Sequence, residues 1–246
     1  MESVQTAWVA WARHVAGAQD VHRNTCVQAQ TKLRAVSEDR WSRIAEPGLR
    51  WPGYLGRNYQ RGGVLSVGII HTGFASAGLK TAPEVSAAVG AHQRWVHGDL
   101  NDDEWLAATR SMYRRGLRKG GWDVASNHRF YWEQLGETVD SVAYTNAARC
   151  QWPGKRPTDR VINECLRALP LTDLLDVLQP RLVLCNSAGA VEQLAPHVPV
   201  VYVHQLRGTT VGRHTIIGPA RTVVVEPDTR RGATTKALID AGFAAK

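Results

Sequence analysis

The 246-residue chain is short of several things, and each shortage excludes a class of protein. Its four cysteines (Cys26, Cys150, Cys165 and Cys185) lie far apart, so they form no disulfide framework and fit a reducing compartment. No apolar run approaches the ~20 residues that cross a bilayer. The first eighteen residues carry Glu2, Arg13 and His14 among their apolar ones, unlike a secretory leader. The Gly-bounded turn at Gly68–Gly73 is followed by no Gly-Lys-Ser/Thr, which excludes a Walker loop, and it lacks the spacing of a dinucleotide fingerprint. Internal repeats, low-complexity tracts and long linkers are missing too. What remains is the expectation of a soluble, cytoplasmic protein with no membrane contact, whose 43% hydrophobic and 21% charged residues suit an ordinary packed core.

Acid is also scarce. Thirty Lys and Arg against 22 Asp and Glu leave a net charge of +8, which favours polyanionic partners. Most of the cations are Arg, the side chain better suited to phosphate forks and to stacking on bases.

Periodicity organises the chain as alternating helices and strands. Residues 1–50 read as a helical appendage, with Trp8, Trp11 and Val15 at helical spacing and a break at Glu46-Pro47-Gly48. Strands are predicted at Val64–Ile70, Val139–Thr145, Arg181–Cys185 and Val198–His204, with one or two shorter ones around Ile216 and Thr222–Val225. Helices are predicted at Pro83–His97, Asp102–Lys119, Ser126–Gly136, Asp159–Leu169, Leu171–Leu178, Ala188–Leu194 and Arg231–Ala241. The middle helix of the first three opens on an acidic Asn101-Asp-Asp-Glu104 cap. This alternation implies a single α/β domain. Its core, residues 51–246, is expected to be a three-layer α/β/α sandwich around a central, mostly parallel four-stranded sheet.

Ligands of such sheets lie beyond the carboxyl ends of the strands, a rule that selects three segments. The first is Gly68-Ile-Ile-His-Thr-Gly73, with His71 and Thr72 at the turn; plain turn chemistry is the bland alternative. In the second, Tyr144-Thr-Asn-Ala-Ala-Arg-Cys150, Asn146 follows an apolar strand and offers one acceptor and two donors, enough to read a pyrimidine edge, or else caps the loop. The third runs from His204 through Arg207 and Arg213 to His214, with two glycines that allow close approach to phosphates.

Together these segments resemble the uracil-DNA glycosylase superfamily. The resemblance runs from Trp51 to His214 and is most specific at Thr145-Asn146…Cys150…Cys165…Pro180-Arg-Leu-Val-Leu-Cys185, with Gly53-Tyr-Leu-Gly-Arg-Asn-Tyr59 similar to the lead-in of several bacterial branches. It implies a monofunctional enzyme of base excision that flips a pyrimidine nucleotide out of DNA and hydrolyses its N-glycosidic bond. By the same resemblance Asn146 reads the base, His204 hydrogen-bonds its O2 as charge develops, and the Gly68–Gly73 turn (Gly68, Ile70, Thr72 and Gly73 included) holds the water. Phe74 stacks on the base, and Leu206 and Arg207 lie on the loop that wedges the duplex. Ser187, Arg213 and His214 are the further candidates for contact with the DNA backbone.

The chain also departs from the pattern. Ile70 stands where the superfamily often has a polar residue, leaving His71 to orient water, and its His-Pro-Ser becomes His204-Gln-Leu. Cys150 and Cys165 match two ligands of the iron–sulfur branches, but the early Cys-x-x-Cys pair is missing. No cluster and no other cofactor is therefore expected, and the cysteines are read as small buried packing residues. The altered first motif and the long helical insertion suggest a bulkier modified pyrimidine, as in defence against phage DNA, in a nucleoid-associated protein that needs no obligate protein partner. Two other classes stay open: a glycosylase-like fold that only binds DNA or a nucleobase, and an enzyme of free nucleosides. Three side features have two readings each. Arg110, Arg114 and Arg118 share a helical face that is either solvated or a second DNA strip. Asn127-His-Arg-Phe-Tyr-Trp132 is either packing or the pocket mouth, and Asn186-Ser187 either caps a turn or meets a phosphate. The charge balance predicts DNA binding that weakens steeply with rising salt in a filter or anisotropy titration; an enzyme of free nucleosides shows no such dependence.

Overall fold

In the computed structural model, which describes residues 2–18, 50–71, 83–118, 128, 131–133, 135–151, 158–203, 214–217 and 222–225, the apolar run that starts at Val64 is a strand in the middle of the sheet. The order along the chain is α1 (Val4–Gly17), β1 (Tyr54–Leu55), β2 (Val64–His71), α2 (Pro83–His97), α3 (Asp102–Arg118), β3 (Val142–Gln151), α4 (Asp159–Ala168), α5 (Thr172–Leu178), β4 (Leu182–Cys185), α6 (Ala188–Leu194), β5 (Val200–Val203), β6 (His214–Ile217) and β7 (Thr222–Val225). The fold is α/β.

Among the described residues the sheet has seven strands in the order β1-β3-β2-β4-β5-β6-β7: the expected central four, the two short strands expected around Ile216 and Thr222–Val225, and β1, which was not expected. The expected four, β3-β2-β4-β5, are its parallel centre, while β1, β6 and β7 join antiparallel. Alternation along the parallel strands divides the side chains between two layers. Leu65, Val67, Val183, Cys185 and Val200 pack with Ile162, Leu166 and Leu194 of α4 and α6. On the opposite face Tyr144 packs with Ala88 of α2 and with Met112 and Tyr113 of α3, and the Trp132 indole donates to Ser66 Oγ at 2.8 Å. Right-handed crossovers account for this division, because the chain leaves β2 in one direction along the sheet and returns past it in the other.

Helix ends follow their local chemistry. Ser3 caps α1 by accepting from the Thr6 amide at 3.1 Å. Asn101 Oδ1 accepts from the Glu104 amide at 2.9 Å while Glu104 reaches back to the Asn101 amide, a capping box at the start of α3. In α4 the buried positions Val161, Ile162, Cys165 and Leu166 form one stripe. The side chains of Cys165 and Cys185 are buried, and burial pushes the Cys185 thiol up to about 12; Cys26 lies outside the described residues.

Three readings change. First, α1 is no appendage: Trp8, Trp11, Ala12 and Val15 are buried in the same core as the sheet, and the helix packs against α5 and α2. Second, β3 begins and ends later than the expected Val139–Thr145. Residues 138–141 are a turn, with the Ser141 amide on the Thr138 carbonyl, and the strand runs on through Asn146-Ala-Ala-Arg because β2 pairs with it there. The low strand preference of that segment is overridden by tertiary pairing. Third, Arg110 and Arg114 form neither a solvated face nor a strip free for DNA. Arg110 donates to the Leu55 carbonyl at 3.0 Å and to Gln5 at 3.1 Å, and Arg114 pairs with Asp140, which Arg57 also approaches. The expected helix Arg231–Ala241 lies outside the described residues.

An aromatic cluster joins α2 and α3. Trp95 and Trp105 stack at 3.9 Å with an 8° tilt, Arg13 of α1 lies over Trp95, and His92 is fully buried among Trp51, Trp95 and Trp105. The Trp105 indole donates to His92 Nδ1 at 3.0 Å, so the imidazole proton sits on Nε2 and donates to the Arg50 carbonyl at 2.8 Å. Burial lowers the His92 pKa to about 4. The unfolded chain therefore binds more protons between pH 6.5 and 4, and stability that is complete above pH 6.5 falls as pH drops through that window and levels off below it. One such ring contributes ~3 kcal/mol over the interval. Urea unfolding at pH 7 and pH 4 is expected to show this loss together with that of His128, whose pKa burial also lowers to about 4, and His92→Gln is expected to remove the His92 share, roughly half; a variant that keeps the full pH dependence would place the titrating group elsewhere.

Candidate functional site

Level with the carboxyl end of β4, the parallel strands gather polar side chains on the face that looks toward α2 and α3. Register does the gathering. Gly68 of β2 lies beside Asn146 of β3, and Val67 lies beside Cys185 of β4, so Asn186, which follows, is level with Gly68. The Asn186 amide donates to the Val67 carbonyl at 3.1 Å, which holds the chain in step one residue past the strand. Three adjacent strands thus bring Asn146, Gly68 and Asn186 into one row.

Asn146 is completely buried, and its Oδ1 accepts from the Tyr144 hydroxyl at 2.9 Å. Burial raises the Tyr144 pKa well above the usual phenol range, so the phenol keeps its proton and donates. With Oδ1 accepting from this hydroxyl, Nδ2 has no hydrogen-bond partner among the described residues. Gly68 makes the arrangement possible. A Cβ at that position would run into both Asn146 Oδ1 and the Tyr144 hydroxyl. The amide therefore leans from β3 over the backbone of β2, toward Asn186.

His128 completes the cluster. It is fully buried beside the Asn186 side chain, and burial lowers its pKa to about 4, against the opposing effect of a hydrogen bond with Asn186. Neither ring nitrogen reaches full hydrogen-bond geometry with any described residue. Four residues on, the Trp132–Ser66 hydrogen bond ties this stretch of chain to the centre of β2.

The lead-in loop supports β3 from its other side. Gly53 has φ 122°, and a side chain there would strike the Tyr144 carbonyl and the Thr145 backbone. The Thr145 hydroxyl donates to the Pro52 carbonyl at 2.7 Å.

The structure brings Gly68 and Asn146 together inside paired strands, whereas the sequence reading set Asn146 just past a strand end. Ile70 pairs with Ala148, and His71 pairs with Gln151 across a register shift, so both backbones lie at the carboxyl end of β2. Ser187 is buried at the start of α6, and its backbone amide donates to Cys185 Sγ at 3.4 Å. His214 opens β6 opposite Val203, at the same end of the sheet but several strands away from Asn146. Thr72, Gly73, Phe74, His204, Leu206, Arg207 and Arg213 lie outside the described residues. Tyr144 is not among the candidate residues, and His128 stands there only within Asn127–Trp132, the stretch read as either packing or the pocket mouth. The signals for them were a tyrosine two residues before the asparagine and a histidine amid aromatic residues.

The arrangement can present amide and imidazole hydrogen-bonding groups, already stripped of water, to a polar ligand. No metal-binding group of three or more His, Cys, Asp or Glu occurs among the described residues. Compared with known proteins, the chain matches no family model and no curated protein.

The space above Gly68 gives a direct test. Gly68→Ala is expected to cost ~1–3 kcal/mol by overpacking. Tyr144→Phe is expected to cost a similar ~1–3 kcal/mol by leaving Oδ1 unpaired. Because the Tyr144 hydroxyl is one of the two atoms the new methyl meets, the double variant should lose less than the sum of the two in urea unfolding. Strict additivity would mean that the two sites are not in contact.

Proposed function

We propose that this protein is a DNA glycosylase that takes an everted pyrimidine into the polar cluster of β2, β3 and the carboxyl end of β4 and hydrolyses its N-glycosidic bond. One observation carries the reading: the Asn146 amide, turned by Tyr144 so that its two N–H donors are left over, is buried among the paired strands, level with the carboxyl end of β4, and α/β sheets bind ligands beyond such strand ends. A buried donor without a partner is costly, and a ligand acceptor relieves that cost. Its desolvation is already complete on folding, so a hydrogen bond to a base gains nearly its full strength. Since the amide is closed to solvent, occupancy requires the layer over this end of the sheet to open. The net charge of +8 supports a polyanionic substrate, and the Thr145-Asn146…Cys150…Cys165…Pro180–Cys185 pattern supports the glycosylase class.

In the proposed reaction a water oxygen bonds to C1′ as the C1′–N bond breaks. The bonding electrons leave with the base, the water proton neutralises the base anion, and an abasic site remains. The sugar passes through a cation-like state, so fixed dipoles that stabilise the departing base matter more than a strong nucleophile. Asn146 reads the base edge, His71 orients the water, His204 donates to O2 of the leaving base, and Phe74 stacks on it. Leu206 and Arg207 hold the duplex open, with Ser187, Arg213 and His214 toward the DNA backbone. Eversion costs a few kcal/mol, offset by stacking and edge hydrogen bonds. Ile70 in the first motif favours a modified pyrimidine over plain uracil, which suits a role against phage DNA carrying such bases.

Mass spectrometry of bases released from DNAs containing uracil, hydroxymethyl-pyrimidines or glucosylated cytosine tests this. Release is expected from at least one modified DNA, and Asn146→Ala and His204→Ala are each expected to lower the rate ~10²–10³-fold. Release of uracil alone would remove the modified-base assignment. Tight DNA binding with no alkali-labile site on any base would make the protein a binder instead.

A further inference from the structure

The glycosylase reading gives Asn146 the base and leaves a second buried polar group on the same face without a task. His128 and Asn186 stand on the far side of Gly68 from the β3 strand that carries Asn146. Strand spacing sets the scale. The Asn146 amide already leans over β2, so it lies about one strand spacing, ~5 Å, from the line of β4. A planar six-membered ring has that width.

We propose that His128, positioned by Asn186, is a specificity-determining residue of this site, which hydrogen-bonds the edge of a planar heterocycle opposite the edge that Asn146 reads. The inference rests on the reading above only for the identity of the heterocycle as a DNA base. Three observations carry it. The imidazole is completely buried, yet neither ring nitrogen has full hydrogen-bond geometry with a described residue. Asn186, its polar companion among the described residues, is held level with Gly68 by the Val67 carbonyl. The stretch of chain that carries it is anchored to the same face by the Trp132–Ser66 hydrogen bond.

The chemistry of the pair defines the ligand class. Burial keeps the ring uncharged at neutral pH, so it offers one N–H donor and one nitrogen acceptor. A neutral imidazole opposite an amide whose free groups are donors suits an uncharged ring with carbonyl oxygens or ring nitrogens on one edge and mixed donor and acceptor groups on the other. A pyrimidine base meets that description. A carboxylate or phosphate does not, because no cationic group among the described members of the cluster neutralises it. Discrimination follows from pairing: a ring that fails to match the imidazole leaves a buried polar atom unsatisfied, and sites built this way reject poor matches strongly.

The test uses the intact protein and free uracil, cytosine and adenine as probes, with calorimetry for affinity and the ¹⁵N-imidazole spectrum as the direct readout. Uracil or cytosine is expected to bind and to shift the His128 ring-nitrogen signals while leaving those of His92 in place. His128→Leu is expected to weaken binding at least tenfold. His128→Gln, which keeps a donor and an acceptor, is expected to recover part of the loss and to change the ratio of affinities for the two pyrimidines. Should His128→Leu fail to fold, the glutamine variant and the wild-type ¹⁵N shifts still decide the matter. Pyrimidine binding with no movement of the His128 signals, or with the same affinity ratio in the glutamine variant, would overturn the inference. So would failure of every free base to bind. Base release from DNA by wild type and His128→Gln at the same relative rates across substrates would likewise overturn it while leaving the glycosylase reading intact. His128-dependent binding of a free pyrimidine by a protein that cleaves no DNA would support the inference and remove the glycosylase reading.

Discussion

At position 68 the central strand carries no side chain, and the Tyr144–Asn146 hydrogen bond occupies the space a Cβ would take. Everything at this end of the sheet depends on that exchange. It lets an asparagine of one strand lie across the backbone of its neighbour, with Oδ1 over Gly68 and two N–H donors left without a partner among the described residues. It also lets a tyrosine two residues earlier, on the same face by strand alternation, reach the amide it orients. The backbone pairing of Gly68 with Asn146 and of Val67 with Cys185 then fixes what stands opposite, namely Asn186 and the His128 ring beside it.

The rest of the molecule holds this end of the sheet in register from both sides. Below β3, the lead-in loop approaches so closely that Gly53 has no room for a side chain, and Thr145 is tied to Pro52. Above it, α3 packs Met112 and Tyr113 against Tyr144 and anchors itself through Arg110 on Leu55 and Arg114 on Asp140. Helix α1 closes the aromatic layer, with Arg13 over Trp95 and Trp8 and Trp11 in the core. The basic surplus is therefore partly structural. Some of the arginines that a charge count assigns to DNA are spent on carbonyls and on Asp140 inside the protein.

Much of the fold was legible because its strands are short apolar runs and its helices carry one-sided stripes. Helices Pro83–His97 and Ala188–Leu194 and strand Thr222–Val225 have the limits expected of them. The strand that carries Asn146 was misplaced because Asn146-Ala-Ala-Arg has no strand preference of its own and is extended only where β2 pairs with it. In α1 the helical spacing marked Trp8 and Trp11 as core residues, which they are, but it did not show that they share the core of the sheet, because amphipathic spacing shows that a face is buried and not against what. The site was legible in Gly68 and Asn146, and only as residue types. Tyr144 drew no role and His128 only an undivided one within Asn127–Trp132, because a phenol and an imidazole in aromatic surroundings look like packing until their polar atoms are placed.

Composition and periodicity alone determined an α/β chain of net positive charge, with parallel strands at its centre and polar residues near their carboxyl ends. Those properties depend on residue type and on spacing along the chain. Which polar residues face one another was decided by tertiary structure, because the register between β2, β3 and β4 joins positions nearly eighty and forty residues apart. Burial was decided there too: an asparagine amide becomes a donor in want of an acceptor only when the surrounding layers exclude the water that would otherwise satisfy it.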